Sequence, residues 1–133
     1  MDYRKALAVV TSLSAVIGTE ILLVDSDLWE AAPSHAYGLI GFVGIDLAIL
    51  GFLLSKKHTA FRIAMIWGLI QTGLMLGDIL TAQSSGYNTY GEFVNYLLSL
   101  WNWDLLLILQ PITVALGFFG GNRQRSMTEK TVR

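Results

Sequence analysis

A bundle of four membrane-spanning helices is the fold this sequence predicts, all-α throughout, and three observations predict it. Charged residues make up only 14% of the 133-residue chain, against about 25% in soluble domains. Four apolar runs fill most of its length, and each reaches the roughly 18 residues that a helix needs to cross a hydrocarbon core. All nine Lys and Arg residues fall in segments that such a topology puts on one side, the pattern of cytoplasmic loops. The expectation is therefore a multi-pass cell-membrane protein forming one membrane domain, with both termini in the cytoplasm. Cys is absent, which excludes disulfide frameworks, thiolate metal sites and cysteine nucleophiles.

The first span is residues 6–24, preceded by Arg4 and Lys5. Its start has the shape of a signal peptide, but the apolar stretch resumes at Ile21 and no A-x-A site follows, so a retained helix is expected. Residues 25–35 form an acidic outer loop with Pro33, and the second span covers 36–54. Residues 55–59, with Lys56, Lys57 and His58, are short enough to make the second and third spans antiparallel neighbours. The third span is 60–80. A polar connection from Thr81, through Gln83, Ser84, Ser85, Gly86 and Asn88, leads to a stretch at 90–101 where Phe93, Leu97, Leu100 and Trp101 recur at helical spacing. That stretch reads as an interfacial helix in the outer leaflet. The fourth span covers 97–119, with a kink expected at Pro111, and residues 120–133 read as a frayed basic tail. Trp29, Tyr37, Tyr87, Tyr90, Tyr96, Trp101 and Trp103 gather on the outer side, where amphipathic rings favour the headgroup region.

Helices in lipid associate through small residues and polar contacts. On the third span Ala64, Gly68, Gln71, Met75 and Asp78 share one face. Gly41, Gly44, Ala48 and Gly51 form a small stripe on the second span, and Gln110, Thr113, Gly117 and Gly121 one on the fourth. Gly73 with Gly77, and Gly117 with Gly121, match the small-xxx-small spacing. These stripes are expected to face the bundle interior.

Glu20, Asp46, Asp78 and Asp104 lie within or just inside the spans. An Asp at mid-span costs about 2.5–3.5 kcal/mol on insertion scales, so such a residue is the default place to look for function. Counted from the outer ends at about 1.5 Å per residue, Asp46 is the deepest, roughly 15 Å down. No Lys or Arg lies in that half to neutralise these acids, which leaves protonation, hydration, neutral hydrogen bonds, a cation or a partner. On a helical wheel Asp46 lies about 160° from the Gly41–Gly51 stripe. If the stripe faces inward, Asp46 faces outward toward a partner, as Glu20 and Asp104 do from their own small-residue sides. His35 could join Glu20, Asp78 or Asp104 around a metal by depth, although no ligand motif fixes that geometry.

No nucleophile elbow, phosphate loop or Rossmann fingerprint is present. Nucleic-acid binding, a catalytic residue and a motif-bound cofactor are therefore not expected. The four-span architecture is similar to that of several small membrane families, the DoxX-like subunits of quinone-linked enzymes among them; no residue motif is shared, so the likeness implies fold alone. The functional expectation is a small accessory or structural subunit of a larger membrane complex, respiratory or oxidase-like. Its partners would be membrane lipids and either other membrane subunits or further copies of itself, contacted through Asp46, Asp104, Gln71 and Gln110. The alternatives are a proton-, cation- or small-solute-handling protein built on Asp46, and a small membrane enzyme acting on lipid or quinone.

Overall fold

The computed structural model describes residues 2–31, 33–80 and 90–131, and these contain helices and no strand. The helices are α1 (Tyr3–Val24), α2 (Ser26–Ala31), α3 (Pro33–Leu54), α4 (Ala60–Leu80), α5 (Tyr90–Ser99) and α6 (Trp101–Thr131). Four of them, α1, α3, α4 and α6, are long and apolar enough to cross a membrane. Their outward faces carry large apolar side chains such as Val16, Leu47, Leu69 and Phe118, a surface that water would penalise and lipid would not.

Local chemistry sets the element ends. The Asp2 carboxylate caps α1 by accepting from the backbone N–H groups of Arg4 and Lys5. Arg4 then reaches across the bundle. Its guanidinium donates to the Leu53 carbonyl (3.0 Å) at the C-terminal end of α3 and lies 5.3 Å from the Phe61 ring. Residues 25–35, expected as a loop, contain α2 instead. Asp25 accepts from the Leu28 N–H at 3.0 Å, and an Asp in that position is a strong helix-start signal. Pro33 takes the first position of α3, where its missing N–H costs nothing, so α3 starts before the expected 36.

The connection between α3 and α4 closes with the Lys57 N–H on the Phe52 carbonyl and the Lys56 N–H on the Leu53 carbonyl. This is the Schellman pairing, whose left-handed residue is usually Gly. Here it is Lys56, at φ 56°. Lys56→Gly is expected to raise stability by about 1 kcal/mol by relieving that conformation, measurable as a higher unfolding midpoint in mild detergent.

The fourth span departs from its expected bounds at both ends. The helix over 90–99 is a separate element, and α6 begins only at Trp101 after a break at Leu100. The Asn102 side-chain oxygen accepts from the Trp103 N–H at this start. At the other end α6 continues to Thr131 rather than stopping at 119. Gly120 and Gly121 are held against Phe61, and Arg123 lies 5.9 Å from the Tyr3 ring, so the expected frayed tail is helical to 131. The polar connection, Thr81 to Asn88, lies outside the described residues.

In the bundle α1 packs against α3 and α6, and α4 packs chiefly against α6. The short turn does bring α3 and α4 into contact, but less closely. Two apolar clusters result. One, with Leu7, Ile49, Leu53, Phe61 and Leu116, lies toward the end that carries Arg4 and Lys56; the other, with Ile17, Ile21, Met75, Leu106 and Leu109, lies toward the end that carries His35 and Asp78. The α4–α6 crossing depends on two glycines. A Cβ on Gly68 would stand 3.0 Å from the Gln110 carbonyl oxygen, and one on Gly117 would stand 2.8 Å from the Phe61 carbonyl oxygen and 2.9 Å from the Met65 backbone nitrogen.

The glycine stripe of α3 does not pack inside the bundle. Gly41, Gly44, Ala48 and Gly51 are exposed, and a Cβ on any of the three glycines would meet nothing within 4 Å. The buried face of α3 is instead Ala36, Asp46, Ile49 and Leu53. The wheel separation between stripe and Asp46 holds, but the interior lies on the opposite side from the one expected. Small residues permit close approach without requiring it, whereas an unsatisfied carboxyl at mid-span must find donors.

Candidate functional site around Asp46

Between the two apolar clusters each of the four long helices contributes a polar side chain to one layer. Ser14 comes from α1, Asp46 from α3, Trp67 and Gln71 from α4, and Gln110 from α6. Asp46 is 4% exposed, Ser14 3%, Gln71 3% and Gln110 2%. The Ser14 hydroxyl donates to Asp46 Oδ2 at 2.6 Å, and the Trp67 indole N–H donates to Oδ1 at 2.9 Å. The Gln110 amide in turn donates to Ser14 Oγ at 3.1 Å. Gln71 lines the same small cavity as the Asp46 carboxyl. The donors therefore run in one direction, from Gln110 through Ser14 to Asp46, with Trp67 closing on the other oxygen.

Sequence spacing explains why these groups converge. Trp67 and Gln71 are four residues apart on α4, hence on one face. The Phe42 ring packs edge-on against Trp67, centroids 5.3 Å apart, and sets the indole toward α3. Gly68 sits on the same side of α4 and lets the Gln110 backbone approach, which brings the Gln110 side chain to Ser14. On α1, Gly18 lies one turn from Ser14, and a Cβ there would stand 2.8 Å from Val43 Cγ2. That close approach of α1 and α3 is what allows a 2.6 Å hydrogen bond between two short side chains.

A small cavity of about 20 Å³ opens beside Asp46, lined also by Ser14, Gln71 and Gln110. Gln71 Oε1 is buried with no hydrogen-bond partner, as is Thr11 Oγ1 one turn from Ser14. Lys5 lies 3.9 Å from Asp2 and His35 lies 3.5 Å from Asp78, and among the described residues no basic side chain stands within 4 Å of the Asp46 carboxyl. That carboxyl is held by neutral donors.

The other acids lie apart from this layer. His35 Nε2 stands 3.5 Å from Asp78 Oδ1, joining α3 to α4 at a half-exposed end of the bundle. Glu20 accepts from the Asn102 amide at 3.3 Å. Asp104 lies in the first turn of α6, where a negative charge suits the helix dipole. Among the described residues no three His, Asp or Glu side chains converge, so His35, Glu20, Asp78 and Asp104 do not assemble into one centre. Gln71 and Gln110 join Asp46, while Asp104 does not. Gly73 and Gly77 present no close approach, since a Cβ on either meets nothing within 4 Å.

The residues that sequence reasoning missed are Ser14 as a ligand of Asp46 and Trp67 altogether. Trp67 carried a legible signal. An indole far from the interfacial belt still needs an acceptor for its N–H, and its spacing from Gln71 put it on the inward seam. Comparison with known proteins gives no matching family model, no matching curated protein and no matching solved structure.

Proposed function

We propose that this chain is a small multi-pass membrane protein that binds and passes a proton or small cation at Asp46. The observation that carries the reading is a mid-span carboxyl, 4% exposed, held by Ser14 and Trp67 and by no cationic side chain among the described residues. Burying an acid there costs several kcal/mol without recompense from a structural ion pair, which favours a functional reason for its presence. The placement of all nine basic residues in the sequence segments that a four-span topology puts on one side supports insertion in the cell membrane with both termini in the cytoplasm. Asp46 would then be reached from the outer, acidic half. In proteoliposomes containing the purified chain, an imposed ion gradient should drive flux that Asp46→Asn abolishes. Unchanged flux in that variant would reject the reading.

A second reading, the accessory subunit of a larger complex, draws support from the open glycine face of α3. Gly38, Gly41, Gly44 and Gly51 leave room along that face for another membrane helix to approach closely. It no longer draws on Asp46, which faces inward. Stoichiometric co-migration with other membrane proteins on native gels after gentle extraction would support it, and a clean monomer under every mild condition would reject it.

A further inference from the structure

We propose that the Asp46 site takes a proton together with one water molecule, bridged between the Asp46 carboxyl and Gln71 Oε1, rather than a metal cation or an organic solute. This rests on Asp46 being the binding group. The first ground is size. The cavity measures about 20 Å³ and is walled by Leu39, Phe42, Val43, Met75 and Leu106 as well as by its polar residues, which leaves room for about one water and no more.

The second ground is the hydrogen-bond inventory. The Ser14 hydroxyl proton is spent on Asp46, a Gln110 amide proton on Ser14 and the Trp67 N–H on Asp46. Amide protons of Gln71 and Gln110 remain, but the group left buried without a partner in this wall is an acceptor, Gln71 Oε1, on a residue that lines the cavity together with Asp46. A ligand that satisfies Gln71 Oε1 must donate a proton to it. Water brings two, one for Gln71 Oε1 and one for the Asp46 carboxyl. Hard metal cations take about six or more oxygen ligands, and here most of the wall is hydrocarbon.

The third ground is charge. The side chains that face Asp46 are Ser14 from α1, Trp67 and Gln71 from α4 and Gln110 from α6, all neutral. A charge on the carboxyl is therefore balanced only by what arrives. In the binding step a hydronium O–H bond breaks, the proton forms an O–H bond to a carboxylate oxygen of Asp46, and the water left behind stays hydrogen-bonded to Gln71. Release is the reverse, so Asp46 is the proton carrier and Gln71 positions the water.

The test uses the full chain in liposomes with a pH dye and a sodium dye inside. In sodium-free medium a pH gradient should drive proton entry, a sodium gradient alone should drive no sodium entry, and Gln71→Met should slow proton entry about tenfold. Gln71→Met replaces the whole amide, whose oxygen has no partner, by a near-isosteric apolar end, so the unfolding temperature of Gln71→Met should stay close to that of the native chain. A purely packing role for Gln71 would leave the flux unmoved. Asp46-dependent sodium entry, or full proton flux in a folded Gln71→Met, overturns this inference while leaving Asp46 as the binding group. Should Gln71→Met fail to fold, the proton-against-sodium comparison in the native chain decides alone. Absence of any Asp46-dependent flux removes both proposals.

Discussion

Gly117→Val is expected to be the most destabilising single substitution at the helix crossings, costing about 3 kcal/mol or preventing assembly. A Cβ at this position already meets the Phe61 carbonyl oxygen at 2.8 Å and the Met65 Cβ and backbone nitrogen at 2.9 Å. Two of those three atoms are main chain, so no rotamer change can clear them, and α4 and α6 must move apart. Separating them also strips Gly68 from the Gln110 carbonyl and disturbs the polar layer. Gly44→Ala makes the contrast. It meets nothing within 4 Å, and replacing a mid-helix glycine by alanine should raise stability by about 0.5–1 kcal/mol. Denaturant unfolding in mild detergent, followed by circular dichroism, measures both. Equal costs for the two variants would contradict the assignment of inner and outer glycines.

The second large effect is at Asp46. Asp46→Ala should cost about 2–4 kcal/mol, because the buried Ser14 hydroxyl and the part-buried Trp67 indole N–H both lose their acceptor, at about 1–3 kcal/mol each. Unfolded helices that find other partners within lipid soften such penalties, which places the expectation at the lower end of that range. Asp46→Asn keeps one acceptor oxygen and nearly the same volume, so it should cost about 1 kcal/mol. The pair separates two roles. Folding tolerates Asn, whereas proton carriage does not, since an amide in place of the carboxyl has no proton to exchange. A folded Asp46→Asn bundle without flux is therefore the expected outcome.

Much of the fold could be read from residues because it follows from composition and run length. Four apolar stretches of spanning length are visible without any knowledge of packing, and the inward seams of α4 and α6 follow from Ala64, Gly68, Gln71, Gln110, Thr113 and Gly117 recurring on one face each. α2 was missed because six residues among acidic neighbours leave too little periodicity to stand out, although Asp25 marked its start. The length of α6 beyond Phe119 was missed because Gly120 and Gly121 look like a stop. Their contacts with Phe61, and that of Arg123 with Tyr3, are tertiary and invisible in the local sequence.

The site shows where sequence reasoning runs out. Depth and chemistry singled out Asp46, Gln71 and Gln110, yet the direction of Asp46 depended on which face of α3 points inward. That face was assigned from the glycine stripe, and two cues competed there. A glycine stripe makes close packing possible on whichever side a neighbour stands, while a carboxyl in lipid is penalised unless donors surround it. The second cue is the stronger energetically. Combined with Ser14 on α1 and Trp67 on α4, it would have turned α3 the right way. With that rotation the acid layer ceases to be an outward-looking set, and Asp46 parts company with Glu20, Asp78 and Asp104.

The inward orientation of α3 supports every functional step above, and paired cysteines test it directly because the chain has no cysteine of its own. Val43 shares a face with Asp46, three residues away, and its Cγ2 lies 2.8 Å from a Cβ built on Gly18. The two Cβ atoms therefore stand within one bond length of that value, inside the roughly 3.5–4.5 Å reach of a disulfide. Under mild oxidation, Gly18→Cys combined with Val43→Cys should form an internal disulfide, read by mass spectrometry as loss of thiol alkylation. Gly18→Cys combined with Gly44→Cys should remain reduced. A disulfide in the second pair and none in the first would turn Asp46 outward and contradict the account.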